Sequence, residues 1–161
     1  MKTKTILIIT LISFVHPVNA ESDDYITGIK LASCAGISKY LAFQLNDNKS
    51  YTDAKYYSLK ERRYKLAATH SFNKYGMKTD SSEKHASEVM NEEYIALAIQ
   101  YSDFISRPIG KDPITLRYDN NDSYRIKRLN EITNSSSVSY KSCNALKDTV
   151  KSYIKEYRIN N

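Results

Sequence analysis

Apolar residues recur along most of the chain at intervals of three and four, the period of an amphipathic α-helix. The first such segment, about 23–46, carries Ile26, Ile29, Cys34, Ile37, Leu41 and Leu45, and Tyr40 and Phe43 widen its apolar face. Asn46-Asp47-Asn48 ends it with turn-forming residues. Within it, Gly28, Ala32 and Gly36 fall at i, i+4, i+8 and form a stripe without bulky side chains. Such a stripe lets another helix approach closely. Packing inside a bundle is its ordinary use, and a dimerisation face is the other.

A second helix is predicted over about 51–75, with Tyr64, Ala68, Phe72 and Tyr75 on one face. Ser50 and Asp53 have the spacing of a capping box, and Gly76 stands where a helix C′ glycine belongs. A third is predicted over about 81–106. It opens at Asp80-x-x-Glu83, continues through Val89 or Met90, Tyr94, Leu97, Tyr101 and Phe104, and is stopped by Pro108. Residues 107–121 break the pattern. Pro108, Gly110 and Pro113 punctuate them, Ile114–Tyr118 alternates weakly as a short extended piece, and Asp119–Asp122 reads as a turn. A short helix over about 123–133 uses Ile126, Leu129 and Ile132, and Asn134–Ser137 forms a polar hinge. The last helix, about 138–158, aligns Tyr140, Cys143, Leu146, Val150, Tyr153 and Tyr157. The fold class is therefore all-α: a four-helix bundle-like domain with a short irregular or extended excursion between the third and last long helices.

The N-terminus is not part of this bundle. Lys2 and Lys4 precede an uncharged apolar run from Ile6 to Val15, followed by Pro17 and the small residues of Val18-Asn19-Ala20. This is the layout of a cleaved secretory signal peptide over 1–20, leaving residues 21–161 as one helical domain. The apolar run is shorter than the roughly 20 residues that span a bilayer, so no membrane span is expected after cleavage. Export places Cys34 and Cys143, the two cysteines, where disulfides persist. One pair allows one intramolecular connectivity, joining the first helix to the last and closing the fold. Periplasmic or extracellular localisation follows.

With 161 residues, 41% hydrophobic and 26% charged, the chain has room for one ordinary domain. Four glycines exclude a collagen. The net charge is +6, and the leader removes two lysines and no acid, which leaves +4. Lys60, Arg62, Arg63 and Lys65 cluster on the second helix, and Arg125, Lys127 and Arg128 on the short one. Export argues against nucleic acid as the target, so attraction to an acidic partner or an anionic surface is the better reading.

Motifs of catalysis are missing. His70 and His85 are the histidines outside the leader, and no Gly-x-Ser-x-Gly turn or CxxC pair accompanies them. His70 reads as a satisfied helix histidine. His85, Glu88 and Glu92 share one helix face at i, i+3, i+7, but without the His-Glu-x-x-His pair this reads as a solvated surface. Met90 is spaced poorly from His85 for a haem and reads as packing. Asp119-x-Asn121-x-Ser123 opens like a calcium loop but has Tyr124 where glycine is required. Neither cofactor nor metal is expected. Asn48, Asn121 and Asn134 are sequons that matter only in a eukaryotic secretory pathway.

Fourteen tyrosines and no tryptophan are unusual, although AT-rich coding accounts for much of this. Tyr56 and Tyr57 point about 100° apart on a helix, so some tyrosine must reach the surface. The resulting expectation is an exported, non-enzymatic protein that binds a protein partner, as an inhibitor, toxin-immunity protein or chaperone. Tyr56, Tyr57, Arg62 and Arg63 are the expected partner-binding residues. The alternatives are a small-molecule or metal carrier binding between helices, and an enzyme whose site is dispersed over several helices.

Overall fold

Helix α1, Asp23–Asp47, runs through the middle of the molecule and is buried at every position from Leu31 to Ser38. The periodicity predicts one apolar face, whereas the structure surrounds the helix. The reason is side-chain size. Ala32, Ser33, Ala35, Gly36 and Ser38 leave room for neighbours on several sides, and the Ser38 hydroxyl satisfies itself on the Cys34 carbonyl at 2.8 Å. These relations come from a computed structural model that describes residues 23–47, 50–106 and 122–160, with side chains over 23–47, 50–103 and 129–159.

Helix α2, Tyr51–Tyr75, returns antiparallel to α1. The Ser71 hydroxyl donates to the Asp24 carbonyl at 2.6 Å, and Phe72 packs on Gly28. A Cβ at Gly28 would lie 2.5 Å from the Phe72 ring, and one at Gly36 would fall on the Met90 carbonyl. The small-residue stripe is thus consumed by α2 and by the next helix, inside the fold, and is not a dimerisation face.

Gly76 ends α2 with φ 108°, and the Met77 N–H closes onto the Phe72 carbonyl at 3.1 Å, a left-handed cap that suits glycine. At the other end the Ser50 side chain makes no backbone cap. It donates instead to the Asp53 carboxylate at 2.8 Å. Helix α3, Thr79–Ser106, begins two residues earlier than the spacing predicts. The Lys78 carbonyl takes the first turn's Ser82 N–H at 2.8 Å, so Asp80 is inside the helix rather than capping it. Glu83 turns to Lys65 at 3.3 Å. Ala86, Met90 and Leu97 enter the core, while Ile95 and Ile99 remain more than half exposed.

The short helix, α4, spans Asp122–Ser135, so it continues into the predicted hinge, and Leu129 and Ile132 join the core. The expected last helix is two. Helix α5, Tyr140–Ala145, stops at Leu146, and helix α6 resumes over Lys147–Asn160. The Cys143 carbonyl receives the Tyr64 hydroxyl at 2.7 Å and the Leu146 N–H at 3.1 Å. A side-chain donor inserted into the i→i−4 ladder is a sufficient cause of a break. Cys143 is also tied to Cys34, with Cα atoms 5.6 Å apart, so the disulfide joins α1 to the short α5.

The architecture is all-α and bundle-like: three long helices packed together, short helices beside them and one disulfide. The leader and the possible strand at Ile114–Tyr118 lie outside the described residues, as do the side chains of Phe104 and Ile126. Among the described residues no helix is long and apolar enough to cross a membrane.

Candidate functional site: a basic groove between two helices

Helices α2 and α6 run side by side in the same direction, fixed at both ends of their contact. At one end is the Tyr64–Cys143 hydrogen bond. At the other, buried His70 approaches the Glu156 carboxylate at 3.1 Å and meets the Tyr153 and Tyr157 rings edge-on. Lys74 stands over the Tyr153 ring, 3.9 Å from Asp24 and 3.8 Å from Glu156, and the Tyr153 hydroxyl donates to Asp24 at 3.3 Å. Hydrogen bonds from His70 and Ser152 hold the Glu156 carboxyl below its ordinary range. His70 is therefore a structural histidine in a polar seam, as its sequence context predicts.

Among the described residues nothing covers the opposite edge of the α2–α6 contact. Lys147, Lys151, Lys155 and Arg158 recur along α6 at intervals of four, four and three. Facing them, α2 presents Lys60, Arg62 and Arg63. Between the rows lie two adjoining hollows of about 600 and about 570 Å³, which share Arg63 and Lys151. Their floor is apolar, made by Leu66, Val150 and Ile154, with Leu59 and Ile159 exposed at the rim. Among the described residues no carboxylate lies within ion-pair distance of Arg63, Lys147, Lys155 or Arg158, and Arg62 has only the longer-range attraction of Glu61. Lys151 reaches Asp148 at 3.2 Å, within its own helix and in full solvent. Like charges lining a concave, partly apolar trough raise its potential above that of a flat surface.

Lys60 closes one end of the groove differently. Its ammonium lies 5.0 Å from the Tyr56 and Tyr140 ring centres and 5.8 Å from that of Tyr57, and it donates to Asn144 at 3.0 Å. Burial works against its charge, but the Tyr56 and Tyr140 hydroxyls outweigh this and hold its pKa above the usual value. Tyr57 donates to the Tyr140 hydroxyl at 3.1 Å. Burial and that donated bond push Tyr57 up. At Tyr140, burial also raises the pKa, but the bonds from Tyr57 and Asn144 more than offset it.

Of the four residues expected at a partner surface, the structure brings Tyr56, Arg62 and Arg63 to the groove. Tyr57 turns away from it, half-buried against Tyr140. Sequence reading missed the α6 row. Its spacing of four, four and three was readable, but only the docking of α6 beside α2 makes the row one wall of a groove. The Arg125, Lys127 and Arg128 side chains lie outside the described residues.

The His85 face has a different use. The His85 ring stacks on Tyr25 with centroids 5.9 Å apart and meets Phe72 at 4.7 Å. Its Nδ1 is 3.8 Å from Glu88, and Glu92 lies exposed beyond. Among the described residues no three His, Cys, Asp or Glu side chains are grouped closely enough to hold a metal ion. Met90 is buried in the core between helices. No family model matches the sequence, and no curated protein or solved structure is significantly similar to it.

Proposed function

We propose that this is an exported, non-enzymatic binding protein that engages a protein partner through the α2–α6 groove. The observation that carries the reading is a trough with cations on both walls, most of them unpaired, over an apolar floor. Charge of one sign around exposed apolar area is the composition of a recognition surface, and Tyr56 and the arginines are residue types favoured there. A disulfide is consistent with an extracellular or periplasmic protein, and the leader-like residues 1–20 support export. Inhibition, toxin immunity and chaperoning all need such a rigid face, and the partner's identity selects among them.

The test is affinity capture of the oxidised protein from its native exported fraction. Wild type recovers one partner in near-equal amount. Tyr56→Ala with Arg62→Glu, folded as judged by circular dichroism, loses it. Equal recovery by both proteins would remove the groove from the account. A bound small mass in native mass spectrometry, with no protein partner, would favour a carrier instead.

A further inference from the structure

We infer that the occupant of the groove is an amphipathic helix with acidic flanks, supplied by the partner to lie against α2 and α6. The inference rests on the partner-binding reading above and adds the chemistry of what binds.

Pitch is the first argument. The α6 cations come one per helical turn, about 5.4 Å apart along the axis. Lys60 and Arg63 on α2 are also one turn apart. A helix laid between these walls returns an acidic side chain to each wall at the same interval, through positions i, i+4 and i+7. An extended segment repeats same-side residues every 6.6–6.8 Å or so and slips out of step along the trough. From Lys147 to Arg158 the row covers about 16 Å at the helical rise, which is three turns of a partner helix.

Composition is the second argument. Leu66, Val150 and Ile154 offer the partner's apolar stripe a floor, Ile159 adds exposed apolar area at the rim, and the flanking cations select Glu and Asp on either side of it. Lys and Arg stems also cover apolar surface while their heads stay in water.

The probe is a labelled synthetic peptide of four helical turns, with a leucine stripe flanked by glutamates, titrated onto the oxidised protein by fluorescence anisotropy. Three comparisons accompany it: the same peptide with lysines for glutamates, a proline-interrupted peptide of the same charge, and phosphatidylcholine vesicles with and without phosphatidylserine. The acidic helix binds, and more weakly as salt is added. The lysine peptide does not bind, and the proline peptide binds at least about tenfold more weakly. Arg63→Glu with Lys151→Glu, and separately Lys155→Glu with Arg158→Glu, each cost about tenfold or more, while Lys84→Glu on α3 changes nothing.

Equal binding of the proline peptide would overturn the helix. Undiminished binding by both groove variants would overturn the site. Binding to phosphatidylserine vesicles but not to the acidic peptide would replace a protein helix with a lipid surface. The underlying reading fails separately, if the variants still capture the natural partner. A captured partner that is lost with the variants but presents no acidic helix sinks this inference alone.

Discussion

Gly28 and Gly36 are alike in sequence, yet each is required by a different neighbour. A Cβ at Gly36 meets backbone, the Met90 carbonyl, which cannot step aside without moving α3. At Gly28 it meets the fully buried Phe72 ring. We expect Gly36→Ala and Gly28→Ala each to destabilise by about 1–3 kcal/mol, as overpacking does. A urea titration reads this as a lower midpoint at unchanged slope. The stripe was legible in the sequence, because three small residues at i, i+4, i+8 have few uses. Which helix fills each position was not, because that depends on how α2 and α3 flank α1.

Glu93 is another matter of position. It is half-buried on α3, one of its carboxylate oxygens has no hydrogen-bond partner, and burial raises its pKa against a smaller opposing effect of Ser136. A carboxyl raised by folding gives stability that is full below the unfolded value near 4.3 and is lost as pH rises through the folded value. Glu93→Gln is therefore expected to raise the thermal midpoint at neutral pH and to leave it nearly unchanged below about pH 4. An equal change at both would show that packing, not ionisation, is responsible.

At the scale of elements, α1 and α2 match their predicted bounds closely, and Gly76 marks its helix end as a C′ glycine should. The break at Leu146 was not legible. Tyr140, Cys143, Leu146 and Val150 keep helical spacing across it, and the interruption comes from the Tyr64 hydroxyl, which arrives from another helix. Ser50 is the N-cap of α2, as its spacing predicts, but its hydroxyl turns to Asp53, and Asp80 falls inside α3 because that helix begins at Thr79. Short polar signals bind weakly to one register. The pairing of Cys34 with Cys143 was legible, because one pair leaves no choice.

That cross-link closes a sequence separation of 109 residues and holds α5 against α1, just before the helix is interrupted at Leu146. The chain-entropy account gives about 4–5 kcal/mol for a loop of this length. Reduction, or Cys34→Ser with Cys143→Ser, is expected to lower the thermal midpoint by many degrees and to speed hydrogen exchange in α5 and α6. Equal midpoints would remove the disulfide as a source of stability.

For the whole molecule, the two edges of α6 divide the work. One edge is locked to the bundle by His70, Lys74, Tyr153 and Glu156. The other carries a row of cations to a trough that the described residues leave open. Composition showed a modest basic excess spread over several helices. Its concentration in one groove arises because α2 and α6, distant in sequence, dock in parallel. The central claim is that this groove receives a protein partner. Site-directed photocrosslinking in the native exported compartment tests it most directly, with the photoreactive residue at Lys155 in the groove or at Ile99 on α3. The account predicts one discrete crosslinked partner from Lys155 and none from Ile99. The same partner from Ile99, with none from Lys155, would contradict it.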